Sequence, residues 1–452
     1  LKNWVSSAFL PFLLFGFFSP EKSCALTSEN TAYRSIEQDL ADSFEAGNCT
    51  RVTELFHTID RKHLSPLAEA VAGFCEPDFK FAKEILDEAS ARDVSDDLIA
   101  YLHAKKVWLH ARPESMDFWQ RALLLARRPS LKNQIQNYLT GQDETFEEAP
   151  TIGHKSIEAS VAMSGYREDN PYFFGESDQT RDPTLGVETD SEINSTHSAS
   201  FGNWRAHATL KTQTYFTKHD VDFQGLDLDI PLDVKVGNNE DIIFTVLGGY
   251  SEQGGNSLQS YYGLSVQGVA YHPSYKQSVT ATVYSDNLYP SLISAQGGFH
   301  ARFDYAWEWF SGYTTFRISP YVEHVTSDSD LNTDITAPAL IPYTYTAVGA
   351  NVSVDQYVGR FTFALDLFSA LRFDDDASVY TVYPQNTVTK TRADQSLISR
   401  LSVSYALQRN LQLVGWYEWN RTWSNIGPTD YQDRNFVDQI YAAGLRYSFA
   451  TF

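Results

Sequence analysis

The sequence predicts an all-α N-terminal helical-repeat domain followed by a C-terminal antiparallel transmembrane β-barrel of about 14 strands. Three observations carry this. Apolar residues recur at helical spacing up to about residue 142, and from Ser156 to the end they fall at every second position. Many alternating segments run to ten residues or more, a length that crosses a bilayer at a tilt and that a soluble sandwich does not need. The connections between them alternate short and long, as in a barrel with short turns at one rim and long loops at the other.

In chain order, residues 1–25 read as a secretory signal peptide. Lys2 precedes an apolar run from Val5 to Phe18, and Ser23-Cys24-Ala25 puts small residues at the −3 and −1 positions. An anchoring helix is the alternative, but the run falls short of the roughly 20 residues that span hydrocarbon. Residues 26–142 follow as a periplasmic α-helical domain. Val52, Leu55, Phe56 and Ile59 keep helical spacing, as do Leu98, Tyr101, Leu102, Trp108 and Leu109, with the Lys105 stem snorkelling in their stripe. Further helices are expected at 66–75, 78–91, 114–127 and 130–139, with Pro66, Pro77, Pro113 and Pro129 just inside their starts, where the missing N–H costs nothing. Such helices suit antiparallel hairpins stacked as a small solenoid. Cys49 and Cys75 are an isolated pair. In an exported chain they read as a disulfide contributing about 3 kcal/mol, with two reduced core thiols as the alternative.

Residues 143–155 form a polar linker, and 156–452 the barrel. Leu226, Leu228, Ile230, Leu232, Val234 and Val236 alternate with Asp227, Asp229, Pro231, Asp233 and Lys235; Phe299, Ala301, Phe303 and Tyr305 alternate with His300, Arg302 and Asp304. Short turns are expected near 237–240, 273–276, 308–312, 355–359 and 407–410. Longer loops are expected near 167–183, 217–222, 253–259, 287–294, 327–342, 372–391 and 424–435. Strands at 156–166 and 204–216 would run the same way, so a descending strand must lie between them, and the polar segment 184–198 supplies it; the count becomes even. Aromatics flank the proposed strand ends (Tyr215, Phe216, Tyr250, Tyr261, Tyr262, Tyr305, Trp307, Trp309, Trp416, Tyr417, Trp419, Trp423) and suit two girdles at the headgroup layers. The last strand closes on Tyr441, Ala443, Leu445, Tyr447 and Phe449, with Ala442, Gly444, Arg446 and Ser448 between them.

A formal net charge of −22 speaks against a nucleic-acid partner, which selects a basic face. The acid gathers in expected loops, where it would meet cations and lipopolysaccharide or simply keep the chain soluble. No chemistry stands out. His207, His300 and His324 have no compelling Ser–acid neighbours by register to make a triad, Arg421-Thr422-Trp423-Ser424-Asn425 lacks a histidine, and the chain reads as a non-enzyme without cofactors. Asp328, Asp330, Asn332 and Asp334 resemble the start of a calcium loop. Thr333 stands where its glycine belongs and no Glu closes it, so a surface calcium site and a solvated acidic loop both remain open. The expected lumen lining is of mixed sign: Arg205, Lys211, Asp227, Asp229, Asp233, Lys235, Arg302, Asp304, Arg360, Asp366, Arg400, Glu418 and Arg446.

Three resemblances follow. Gly444, Tyr447 and Phe449 resemble the terminal assembly signal of bacterial outer-membrane proteins, which implies delivery by a barrel-assembly machinery. Ala442 replaces its usual polar residue, and Ala450-Thr451-Phe452 trail it. The stretch from Phe79 to Ala89 looks like the second helix of a tetratricopeptide repeat. Helical domain, closing helix at 129–139 and terminal barrel together resemble the surface lipoprotein assembly modifier family. That resemblance implies a Gram-negative outer-membrane export barrel whose periplasmic helical domain captures an unidentified protein or lipoprotein client and delivers it to the cell surface. A polysaccharide-export porin and a surface adhesin or phage-receptor barrel are the alternatives.

Overall fold

A computed structural model of the chain describes residues 28–127, 129–139, 155–170, 183–199, 202–237, 239–272, 274–288, 298–327, 344–382, 386–408, 410–425 and 435–451. The expected signal peptide, most of the linker, and the Asp328, Asp330, Asn332 and Asp334 loop lie outside the described residues.

Among the described residues seven α-helices come first: α1 (Ser28–Glu45), α2 (Cys49–Phe56), α3 (Pro66–Cys75), α4 (Phe79–Arg92), α5 (Asp97–His110), α6 (Ser115–Leu125) and α7 (Pro129–Leu139). Their starts are written in the sequence. Asn48, Ser65, Asp78 and Asp96 each accept a backbone N–H of the first turn. Pro66 and Pro129 open α3 and α7 as expected. Pro77 instead precedes the Asp78 cap, and Pro113 sits in a 3-10 turn before α6. Helix α5 is the hub, buried all round from Leu98 to Val107 rather than along one stripe. Tyr101 and Trp119 (each 1% exposed), Ile85, Leu86 and Ile135 fill the core around it. The two lysines of α5 are accommodated individually. Lys105 lies over the rings of Phe74, Tyr101 and Tyr138, and Lys106 donates to the carbonyls of Phe74 (2.9 Å) and Glu76 (2.6 Å). Burial pulls the Lys106 pKa below its ordinary value. Cys49 and Cys75 are disulfide-bonded, tying the start of α2 to the end of α3.

Fourteen antiparallel strands then close a barrel: β1 (Lys155–Glu168), β2 (Thr184–Ala199), β3 (Gly202–Tyr215), β4 (Phe223–Lys235), β5 (Glu240–Gln253), β6 (Asn256–Tyr271), β7 (Tyr275–Leu288), β8 (Gly298–Ser311), β9 (Thr314–Ser327), β10 (Tyr345–Val358), β11 (Phe361–Val382), β12 (Asn386–Gln408), β13 (Leu411–Ser424) and β14 (Phe436–Thr451). Each strand pairs with its sequence neighbours, and β14 pairs with β1 from Ile157↔Thr451 to Glu168↔Ile440, so no edge is left open. The polar segment read as a descending strand is β2.

Two connections differ from expectation. Residues 253–259 are not a loop: β5 and β6 join through Gly254 and Gly255, both at positive φ (57° and 77°), which a non-glycine side chain would strain. Most of 372–391 is strand, because β11 and β12 run on as a long hairpin.

Candidate functional site: the lumen and its helical cover

The two-residue period sorts every strand into an outer and an inner face. On β4, Leu226, Leu228 and Ile230 stand exposed at 49%, 43% and 39%, whereas inward Asp233 is 4% exposed. The outer set continues around the cylinder through Phe244, Leu264, Val283, Phe303, Val322, Val348, Phe363, Leu401, Leu413 and Leu445. Aromatics bound this band. Near the short-turn rim Tyr275, Trp307, Trp309 and Phe316 form a chain of ring contacts, as do Phe361 with Tyr405 and Tyr447 with Phe449. Near the other rim stand Tyr250, Tyr262, Tyr417 and Tyr441. Tyr447 and Phe449 of the expected assembly signal thus belong to the first girdle. Gly444 lies at the seam, where a Cβ would fall 2.0 Å from the Met163 carbonyl oxygen.

Three expected girdle residues point inward instead. Tyr215 is buried against Tyr166 and donates to Glu168, Tyr261 donates to Asp227 (2.6 Å), and the Trp416 ring carries the Arg400 guanidinium 4.3 Å from its centre. Their parity, legible from the register, opposes that of their apolar neighbours.

Of the expected lumen residues, Arg205, Lys211, Asp227, Asp229, Asp233, Lys235, Arg302, Asp304, Asp366, Arg400, Glu418 and Arg446 fall on the inner parity. Arg360 does not line the wall; it lies exposed in the turn between β10 and β11. The structure pairs Arg205 with Asp233 (3.0 Å) and Arg302 with Asp304 (2.7 Å), and sets Asp366, Arg400 and Glu418 abreast on β11, β12 and β13. Lys211 meets Glu188 (3.1 Å), a residue not singled out from sequence. Glu188, Asp190 and Glu192 form an inward acidic ladder on β2, and their every-second-residue spacing was available as the signal. Of the three histidines, His207 sits between Glu192 (3.2 Å) and Asp229 (3.6 Å), and His300 between Asp286 (3.2 Å) and Glu323 (3.1 Å). His324 faces outward, beside the Thr346 hydroxyl.

The inner rings are also committed. Arg302 covers Tyr321 (4.0 Å), Arg372 covers Tyr345 (3.9 Å) and His300 stacks on Tyr284 (4.1 Å). Tyr166, Tyr261 and Tyr321 lie over glycines of a neighbouring strand (Gly186, Gly249, Gly349), where a Cβ would collide with the ring.

The helical domain occupies the short-turn mouth. Val269, Tyr271 and Tyr357 at the strand ends belong to the same apolar core as Trp119, Leu125 and Ile135, with Ile243 and Phe310 packed against it. Polar contacts ring this core. Arg127, just after α6, reaches Asp233 (3.1 Å), Asp241 and the Tyr271 hydroxyl (2.6 Å). Lys235 pairs with Asp93, Lys276 donates to the Leu124 carbonyl (3.3 Å), and Gln136 donates to the Tyr357 hydroxyl (3.4 Å). Above this cover, cavities lined by described residues open into the lumen. One of about 320 Å³ is lined by Arg127, Arg205, His207 and Asp229; one of about 520 Å³ is lined by Lys132 and Gln136 of α7 together with Glu188, Asp190, Asp355 and Arg446.

No family model matches the chain, and no curated protein does. Solved structures similar to it include the outer membrane channel DcaP of Acinetobacter baumannii (9% identity, 65% of this chain and 97% of that one, TM-score 0.40). The anion-selective porin from Comamonas acidovorans is also similar (9% identity, 65% and 99% covered, TM-score 0.35), as is a bacterial polysaccharide outer membrane secretin (8% identity, 64% and 98% covered, TM-score 0.33). Overlaps this shallow say nothing of solute or partner.

Proposed function

We propose that the chain is an outer-membrane channel whose inner mouth is covered by its own helical domain, with that domain in the periplasm. The apolar band between two aromatic girdles supports the membrane setting. The observation that carries the channel reading is the pairing of a charged, partly hollow lumen with a domain seated across its short-turn mouth. The cover makes passage conditional: solute or client moves when the helices shift. In the export form of this reading, a periplasmic protein or lipoprotein client engages the helical domain and loosens it from the rim. Sugar export is less favoured by the lumen, because Arg302, Arg372 and His300 occupy the ring faces on which a saccharide would stack.

Planar-bilayer recording tests the reading. The full chain should conduct rarely, and the doubly changed chain Arg127→Ala with Lys235→Ala, which loses the three docking ion pairs to Asp233, Asp241 and Asp93, should open far more often at unchanged single-channel size. Equal open probability in both would refute the cover; absence of conductance in both would refute the channel. The export form predicts that weakening the docking changes how much client reaches the cell surface, while loop changes at the opposite rim do not.

A further inference from the structure

Arg127 is held as a ligand is held. Its side chain is 17% exposed, and its guanidinium lies between two carboxylates of the barrel wall, Asp233 and Asp241, whose side chains are 4% and 0% exposed. The Tyr271 hydroxyl accepts from it at 2.6 Å, and the Tyr271 ring stands 5.6 Å from its carbon. Two acids and an aromatic face are what recognition of a guanidinium requires. The three residues come from β4, β5 and β6, and the cation comes from the helical domain, as does Ser95, which donates to Asp241 (3.4 Å); Asp233 also holds Arg205 of β3 (3.0 Å). The pocket is therefore a property of the barrel, filled from outside it.

We propose that Asp233, Asp241 and Tyr271 form a binding site for an arginine side chain of a polypeptide in transit, and that Arg127 occupies it as an internal stand-in. The inference rests on the channel reading and adds the chemistry of the cargo. An arginine-bearing segment competes with Arg127 for the same carboxylates, so its arrival frees the helical domain from the rim. The site thereby couples cargo recognition to opening, since a ligand shifts the docked population by as much as it prefers the undocked form.

Arginine amide, with norleucine amide as the uncharged counterpart, serves as probe in bilayer recordings, applied on the side of the helical domain. On the full chain, arginine amide should raise open probability at least several-fold and norleucine amide should not. On the Arg127→Ala chain, already open, arginine amide should enter the vacated site and produce discrete blocks. Adding Asp241→Asn should remove most blocks, and adding Asp233→Asn as well should remove the rest, with heat-modifiable migration verifying that each barrel is closed. Blocks of equal frequency with both amides, or blocks that persist without the two carboxylates, overturn the site and leave the channel reading intact. An Arg127→Ala chain that never conducts overturns the channel reading itself.

Discussion

Replacing Arg127 with methionine should undock the helical domain, and the structure bounds the effect. Methionine keeps most of the stem's packing but strips the counter-charge from two buried carboxylates. Breaking a buried pair by removing one partner costs about 3–5 kcal/mol, or roughly a hundred- to a few-thousand-fold in the docked-to-undocked ratio. The loss is uneven. Asp233 retains Arg205 at 3.0 Å, whereas among the contacts described Asp241 keeps Ser95 at 3.4 Å. Most of the penalty therefore resides at Asp241, and the double change Arg127→Met with Asp241→Asn should recover a substantial part of it, because an amide buries at far lower cost than an unpaired charge. Hydrogen exchange measures this directly. Amides of residues 97–139 and of the strand ends near Tyr271 should lose protection in the single variant and regain much of it in the double, while the barrel centre exchanges as before. A double variant as loose as the single, or a single variant as protected as the parent chain, would refute this account.

Gly444→Val should abolish barrel closure and its heat-modifiable migration on gels, since a Cβ there meets the β1 backbone, whereas Gly165→Ala, with nothing within 4 Å of its Cβ, should leave closure intact. His103 is 4% exposed, and burial lowers its pKa from 6.5 to about 4, against the opposing pull of Asp87. The unfolded chain then binds more protons between those values, so the helical domain should hold its full stability above pH 6.5 and lose up to about 3 kcal/mol as pH falls to about 4. Thermal melts of the parent and of His103→Phe, which should lack most of this slope, check it. Reducing Cys49–Cys75 should destabilise the helical domain by about 3 kcal/mol through restored loop entropy, read as an earlier first transition with the barrel transition unmoved. Trp119→Ala removes a ring stacked 4.3 Å from Tyr138 and should cost about 3–5 kcal/mol in the same transition.

Much of the fold was legible because both of its parts are periodic. A two-residue alternation fixes which side of the wall a residue faces, and parity alone required a strand at 184–198 despite its polarity. The misreadings have local causes. Gly254-Gly255 is a hairpin signal of the tightest kind, yet the polar residues around it suggested a loop. Residues 372–391 carry Asp374-Asp375-Asp376, which imitates a surface connection, while the strands run through it with a register shift between Phe373 and Ala377. Tyr215, Tyr261 and Trp416 lie beside outward aromatics near strand ends, and only their parity separates them from a girdle. The seat of Arg127 was not legible at all. It joins residues more than 100 positions apart in sequence across two architectures, and no spacing rule connects them.

The seam between Ile157 and Thr451 also constrains how such a chain comes into being. Until its final strand arrives, the growing sheet carries two raw margins of unsatisfied backbone, an invitation to stick to anything similar. The helices need only near neighbours to fold, whereas the cylinder must wait for its last residues.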